Sequence, residues 1–281
     1  MRLLFCADIH GNTFQYNKIF NYAKNFDYLV FGGDICQKGL TKSMNEQRDF
    51  LETFFIPNLK ELKKINRKIK IFLIPGNEDY AGIMDIFNKY DDDLFNIIIN
   101  KVIKLDNNFS IAGYPYVPIS PFKLKDFEKW DLENIKLRNI FDTKKEILLT
   151  GVTTVNMRYE SKIFNYTDED SIENDMKELF NLSKPQKTIY VFHSPPYNTN
   201  LDLAYSNEHI GSLAIRMAIE NYQPYLTLHG HIHETVEKSG NFIDRIKDTI
   251  STAPGNHNNS LNPHVLDINI ISRSINRINL K

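Results

Sequence analysis

Asp8, His10, Asp34, Asn77, His193, His231 and His233 are seven side chains of metal-ligand type, and all but the last follow an apolar, strand-like run. Asp8 and His10 follow LLFCA, Asp34 follows YLVFGG, Asn77 follows IFLIPG, His193 follows TIYVF, and His231 and His233 follow YLTLHG. Side chains alternate along an extended chain, so Asp8-x-His10 and His231-x-His233 each present two ligands on one side. Asp34 carries two carboxylate oxygens and can bridge two cations, and the glycines before it allow backbone and metal to approach closely. Mixed imidazole and carboxylate donors suit Mn, Fe, Zn, Co or Ni better than Ca or Mg. Two such ions about 3.5–4 Å apart can activate a bridging water and clamp both oxygens of an in-line phosphoryl displacement.

Polar residues landing at strand ends point to one site along a sheet edge, because in open α/β sheets ligands sit beyond the carboxyl ends of the strands. Residues 2–7, 28–32 and 70–74 read as buried strands. Residues 12–24 and 43–67 have helical spacing, the second interrupted by Pro57. Residues 102–116 read as a hairpin turning at Asp-Asn-Asn. Residues 130–141 suit an amphipathic helix, 147–155 a strand, and 156–168 a polar loop or insertion. A helix over 171–182 takes Asp170 or Ser171 as its N-cap, and a strand at 188–192 follows. A helix over 211–222 stops at Pro224, strands are expected at 225–229, 242–246 and 248–252, and 264–280 reads as a closing hairpin. No repeat, low-complexity tract or linker is visible. The expectation is one domain over 1–281, α/β in class, with two mixed sheets face to face and helices outside.

The bulk properties exclude several classes of function. Hydrophobic content of 42%, charge of 25% and a net charge of −1 are those of an ordinary globular protein. No basic field invites nucleic acid or an acidic membrane surface. Cys6 and Cys36 lack disulfide or zinc-finger spacing and read as small buried hydrophobes. No apolar stretch reaches the ~20 residues of a membrane span, and the opening MRLLFCAD reads as a strand rather than a signal peptide. A cytoplasmic, reduced, soluble protein is expected.

The series D-x-H, G-G-D, G-N-E-D, a lone His and G-H-x-H, from residue 8 to residue 233, resembles the calcineurin-like metallophosphoesterases. The resemblance implies a four-layer α/β/β/α sandwich. It implies that Asp8, His10, Asp34 and His233 hold one metal and that Asp34, Asn77, His193 and His231 hold the second. The activity it implies is attack of a metal-bridging hydroxide on a phosphate ester, with Mn, Fe or Zn as the leading metals and Ni or Co as further ones. A narrower resemblance, in residues 193–203, 209–224 and 230–234, is to a small prokaryotic branch, and it places Asp202, His209 and Ser212 in a loop over the site. One residue departs from the pattern. Active relatives read G-N-H-[DE], where the His assists the leaving group, and this chain has Glu78 instead. A Glu with a raised pKa can still donate a proton, and a good leaving group tolerates the change best. The expected catalytic set is therefore Asp34, Asn77 and Glu78, acting on a small phosphate ester, preferably a diester.

His229 reads as a hydrogen-bonded structural residue turned away from the ligand face. Asn12 reads as a helix cap that could also touch substrate. His257 and Arg216 are weaker candidates for substrate and phosphate, and His264 reads as unrelated. Two other functions compete. A metal-binding protein-interaction scaffold on the same fold would account for the missing His, and a nuclease would need the basic stripe this chain lacks. Strand edges near the carboxyl terminus leave room for a homodimer.

Overall fold

Short apolar runs rich in Ile, Leu, Val and Phe suit a pleated, buried surface. In the computed structural model, which describes residues 1–142, 144–145, 147–256 and 260–281, Arg2–Cys6 (β1), Tyr28–Gly32 (β2) and Lys70–Ile74 (β3) are adjacent parallel strands, continued by Asn96–Ile97 (β4). Val102–Lys104 (β5) and Ser110–Tyr114 (β6) form the expected hairpin, where Asp106 Oδ1 accepts the amides of Asn108 at 2.8 Å and Phe109 at 2.7 Å. Val117–Pro118 (β7) pairs with Glu128–Lys129 (β8), and Thr150–Val155 (β9) with Arg158–Ile163 (β10). Thr188–Phe192 (β11), Leu226–His229 (β12), Ile243–Ile246 (β13), Thr249–Thr252 (β14), His264–Asn269 (β15) and Ser274–Asn279 (β16) follow.

Two sheets of six strands result, in the orders β16-β15-β1-β2-β3-β4 and β13-β14-β12-β11-β6-β5. Both are mixed. Each has a parallel centre, with antiparallel strands added at one edge of the first sheet (β15 and β16) and at both edges of the second (β13 and β5).

The alternation of side chains separates the layers. Leu3, Phe5, Val30, Phe72 and Ile74 of the first sheet pack on Ile111, Ile189, Val191, Leu226 and Leu228 of the second. The opposite face of the first sheet, with Leu4, Cys6, Leu29, Phe31, Ile71 and Leu73, is covered by helices Thr13–Ala23 (α1), Met44–Phe50 (α2), Ile56–Ile65 (α3) and Met84–Lys89 (α4). After Ile135–Asp142 (α5), helices Ile172–Asn181 (α6) and Leu213–Tyr222 (α7) cover Ala112, Tyr114, Tyr190 and Phe192 of the second sheet. Thr235–Ser239 (α8) follows the last ligand candidates. The layers are thus helix, sheet, sheet, helix, as the resemblance implies. Cys6 and Cys36 are buried and unpaired. Among the described residues no helix is long and apolar enough to cross a membrane.

Three expectations need correction. Residues 156–168 are not simply a loop, because β10 occupies 158–163. Asn156 and Met157 both have positive φ, 48° and 64°, giving the tight turn that a two-residue hairpin requires. Strand β10 is exposed on both faces, which hid its strand periodicity. The helix expected over 130–141 starts only at Ile135, because Trp130 and Asp131 run beside Ser171, with Asp131 accepting the amide of Leu213 at the start of α7 at 2.7 Å. Pro57 does not break its helix. A π turn at Leu51–Phe55 precedes it and places Pro57 in the first turn of α3, where its missing N–H costs little.

Candidate metal centre

The carboxyl ends of β1, β2, β3, β11 and β12 meet at one edge of the two sheets. Backbone bonds stitch the loops beyond them together. Asp8 N donates to Gly33 O (3.1 Å), His10 N to Asp34 O (3.0 Å), and Gly230 N to His193 O (3.0 Å). Four of the seven ligand candidates have left-handed backbone, Asp8 (φ 59°), His10 (48°), Asp34 (52°) and His231 (70°). Such conformations cost on the order of 1 kcal/mol or more for residues with side chains, and they cluster where function holds them.

The loops bring all seven predicted residues to this edge. Ligand atoms of Asp8, His10, Asp34 and His233 all lie within 4.8 Å of one another. His10 Nε2 is 3.0 Å from His233 Nε2 and 3.6 Å from Asp34 Oδ2. On the other side of Asp34, His193 Nε2 lies 3.5 Å from the same Oδ2 and 3.1 Å from Asn77 Oδ1. The rings of His193 and His231 are 5.3 Å apart between centroids. His193 Nδ1 donates to Gly32 O at 2.8 Å, which turns Nε2 into the cluster. A Cβ on Gly76 would collide with the Asp34 carboxylate and with His193. Glycine there is a matter of space for the two side chains.

The profile described as Calcineurin-like phosphoesterase matches residues 1–235. The chain belongs to this family. Among solved structures, one of 15% identity covers 100% of this chain and 99% of its own at a TM-score of 0.62. TT1561 of Thermus thermophilus is similar at 11% identity, covering 100% and 99% with a TM-score of 0.57. A dimetal phosphatase from Danio rerio is similar at 10% identity, covering 100% and 96% with a TM-score of 0.54. These likenesses are of fold. No curated protein matches the chain.

In this member of the calcineurin-like phosphoesterases Asp8, Asp34, Asn77 and His193 are buried, and burial governs the charges of the site. Burial pushes the Asp8 carboxyl up to about 7 and lowers His10 to about 4 and His231 to about 3. His233 is pushed well below its usual value for the same reason. Burial would also raise Asp34, but His193 and His10 outweigh it and hold that carboxyl below the usual range. Burial opposes charge on His193 too, yet the Asp34 carboxylate raises it to about 9. Three of the four histidines are therefore neutral at pH 7, the form a metal ligand requires. Asp79 ties the GGD and GNED loops together, accepting the amides of Ile35 (3.0 Å), Cys36 (2.7 Å) and Gly76 (2.8 Å).

Glu78 lines the cleft beside Asp34, Lys38, Asn77, Phe122, Ile210, His231 and His233. Burial and the Asp34 charge push it up to about 7, although Lys38 opposes them. The other candidates fall as follows. His229 is buried, with Nδ1 on Ser194 O (2.9 Å) and Nε2 on Thr227 Oγ1 (2.8 Å). Asn12 caps α1, accepting the Gln15 amide at 3.2 Å. Arg216 pairs with Glu220 at 2.6 Å, so its guanidinium is already engaged. His264 meets Asn279 at 3.0 Å and also shares a cleft wall with His233. Asp202 takes His209 Nδ1 at 2.7 Å and the Gly211 amide at 3.0 Å, and Ser212 caps α7. These three brace a loop whose Ile210 borders the cleft. His257 lies outside the described residues. Lys38, Phe122 and Ile210 escaped the reading of the sequence. Lys38 stands four residues after Asp34 and could have been found from that spacing; the other two carry no motif.

Proposed function

We propose that this chain is a dinuclear metal-dependent phosphoesterase that hydrolyses a small phosphate ester, preferably a diester. The observation that carries the reading is the Asp34 carboxylate, whose Oδ2 faces His10 on one side and His193 on the other at 3.6 and 3.5 Å. Asp8, His10, Asp34 and His233 would hold one divalent ion, and Asp34, Asn77, His193 and His231 the second, with Mn, Fe, Zn, Ni and Co all compatible with the donors. The fit is supported by neutral buried imidazoles whose Nε2 atoms converge and by glycines that leave room for the ligands. When bound, the ions would supply Lewis-acid charge at phosphorus and an acidified water.

The chain's own residues do the rest. Lys38 adds a cation at the cleft for the phosphate oxygens. His193 is oriented by its Nδ1 bond to Gly32 O, so its Nε2 already faces Asn77 Oδ1 and the Asp34 carboxylate, and a metal would take the place of the Nε2 proton. Glu78 is partly protonated near pH 7 and can hand its proton to the departing oxygen. A cytoplasmic setting belongs to the same reading.

The test is hydrolysis of bis-p-nitrophenyl phosphate by metal-stripped protein refilled with Mn, beside Asp34→Asn. Mn-dependent turnover that disappears in the variant is expected. Wild-type turnover in Asp34→Asn would overturn the two-metal reading. The alternative, a metal-binding scaffold, draws support from the β9–β10 ribbon, which exposes Val155, Tyr159 and Ile163. Deleting residues 153–161 would abolish capture of a tight partner under that reading.

A further inference from the structure

The cleft continues beyond the ligand cluster into a second compartment of about 220 Å³, with Phe122, Ile210 and His231 as the walls common to both. Pro118, Ile119, Pro121 and Ala204 form the apolar part of its wall, and Ser120, Lys145, Ser206 and Glu208 the polar part. Prolines bring no N–H, so this stretch offers a ligand few donors. The polar side chains at its border are already engaged with the protein. Ser120 Oγ bonds Glu128 and accepts the Phe122 amide at 3.1 Å, Ser206 Oγ donates to Glu208 at 3.0 Å, and Lys145 Nζ donates to Gly211 O at 2.9 Å. The stretch from Pro118 to Phe122 with Ala204 and Ile210 thus offers a ligand mainly apolar surface, in a space sized for one ring, while Lys145 and Glu208 keep polar capacity at its border.

The segment that follows Phe122 is tied into the protein by buried polar contacts. Within it Lys125 and Glu128 form an ion pair at 2.8 Å with both side chains fully buried. Asp126 anchors the same segment through Thr153 Oγ1 (2.7 Å), Thr154 N (2.6 Å) and Ala81 N (2.9 Å). Phe122 itself is 51% exposed, a large apolar side chain held at the mouth between the two compartments. A solitary exposed Phe needs no explanation, but one fixed between a polar cluster and an apolar cavity is placed to cover a ligand.

We infer that the cleft takes a phosphate ester bearing an aromatic group, with the ring between Phe122 and Ile210 and the phosphate at the Asp34 cluster. The inference rests on the phosphoesterase reading and narrows its substrate class. A phosphorylated sugar would leave those hydroxyls that face Pro118, Ile119, Pro121 and Phe122 without partners, and unpaired polar groups are costly. An aromatic ring gains from leaving water and from offset contact with Phe122.

The test is calorimetric titration of the Mn-loaded protein with inorganic phosphate, methylphosphonate and phenylphosphonate, whose C–P bonds are not hydrolysed. Phenylphosphonate is expected to bind at least about tenfold more tightly than methylphosphonate. Phe122→Ala and Ile210→Ala should each collapse that ratio, and Ile210→Leu should keep it. Equal affinities for the two phosphonates, with phosphate binding intact, would overturn the aromatic subsite and leave the phosphoesterase reading standing. A preference that survives both alanine variants would overturn it too. Failure of all three anions to bind would overturn both readings together.

Discussion

His10 and His233 approach Nε2 to Nε2 at 3.0 Å from positions 223 residues apart. Neither ring favours a charge, since burial holds both well below the usual histidine value. Two neutral imidazoles so close must share one hydrogen, and a cation accepting both lone pairs relieves the crowding.

Metal addition should therefore raise thermal stability. At a hundredfold excess over its dissociation constant an ion adds about 2.7 kcal/mol, a Tm rise on the order of 5 °C for a chain of this length. Differential scanning fluorimetry with Mn, Zn, Ni and Co reads the shift, and His10→Ala should reduce it. No shift with any ion would count against the site.

Gly76→Ala should weaken metal binding by at least about tenfold, because its Cβ would collide with the Asp34 carboxylate and with His193, and ligand placement is sensitive to small shifts. Metal content by mass spectrometry, beside an unchanged far-UV circular dichroism spectrum, tests this. Full occupancy in the variant would refute the packing argument.

Replacing Glu78 tests proton donation. A positioned general acid contributes roughly 10²–10⁴-fold, and the benefit grows as the leaving group becomes more basic. Glu78→His should raise turnover of alkyl esters far more than that of p-nitrophenyl esters, and Glu78→Gln should lower the alkyl rate selectively. An unchanged alkyl-to-aryl ratio in both variants would remove Glu78 from the chemistry.

The buried Lys125–Glu128 pair predicts a pH effect on stability. Burial pushes Glu128 up to about 7 even though Lys125 opposes it. A carboxyl raised on folding contributes stability that is present below its unfolded value of about 4.5 and is lost as pH rises through about 7. Glu128→Gln does not titrate, so its cost in urea denaturation should be larger at pH 5 than at pH 8. A cost that grows with pH would contradict the shift. The double variant Lys125→Met with Glu128→Gln should be milder than Lys125→Met alone, which strands a buried acid.

The parts legible in the sequence were those with local causes. β1, β2, β3, β11 and β12 are apolar runs buried on both faces, and their ends carry Asp8, Asp34, Asn77, His193 and His231, so strand pattern and ligand type reported the same edge. The caps at Asn12 and Ser171 were readable because each side chain closes its own helix. Strand β9 was expected within 147–155, but β10 was missed because its exposure on both faces removes the apolar alternation, and Met157 occupies a turn position where Gly is usual. Phe122 and Ile210 were missed for another reason. Their meeting depends on Asp126, Glu128 and Asp202 bracing two distant loops, and no spacing within either loop records it.

The placement of β15 beside β1 bears on how the chain is made. Leu4 pairs with Asp267 and Phe5 with Leu266, so one side of the first strand stays open while more than two hundred further residues are synthesised. A nascent chain can assemble β1, β2 and β3 with α1 and α3 long before that. Until the β15–β16 hairpin emerges, it displays a sticky parallel edge lined by Leu3, Leu4 and Phe5. Closure of the first sheet is then a late event on the ribosome, and a ribosome stalled short of residue 264 would release a species prone to aggregate through that edge.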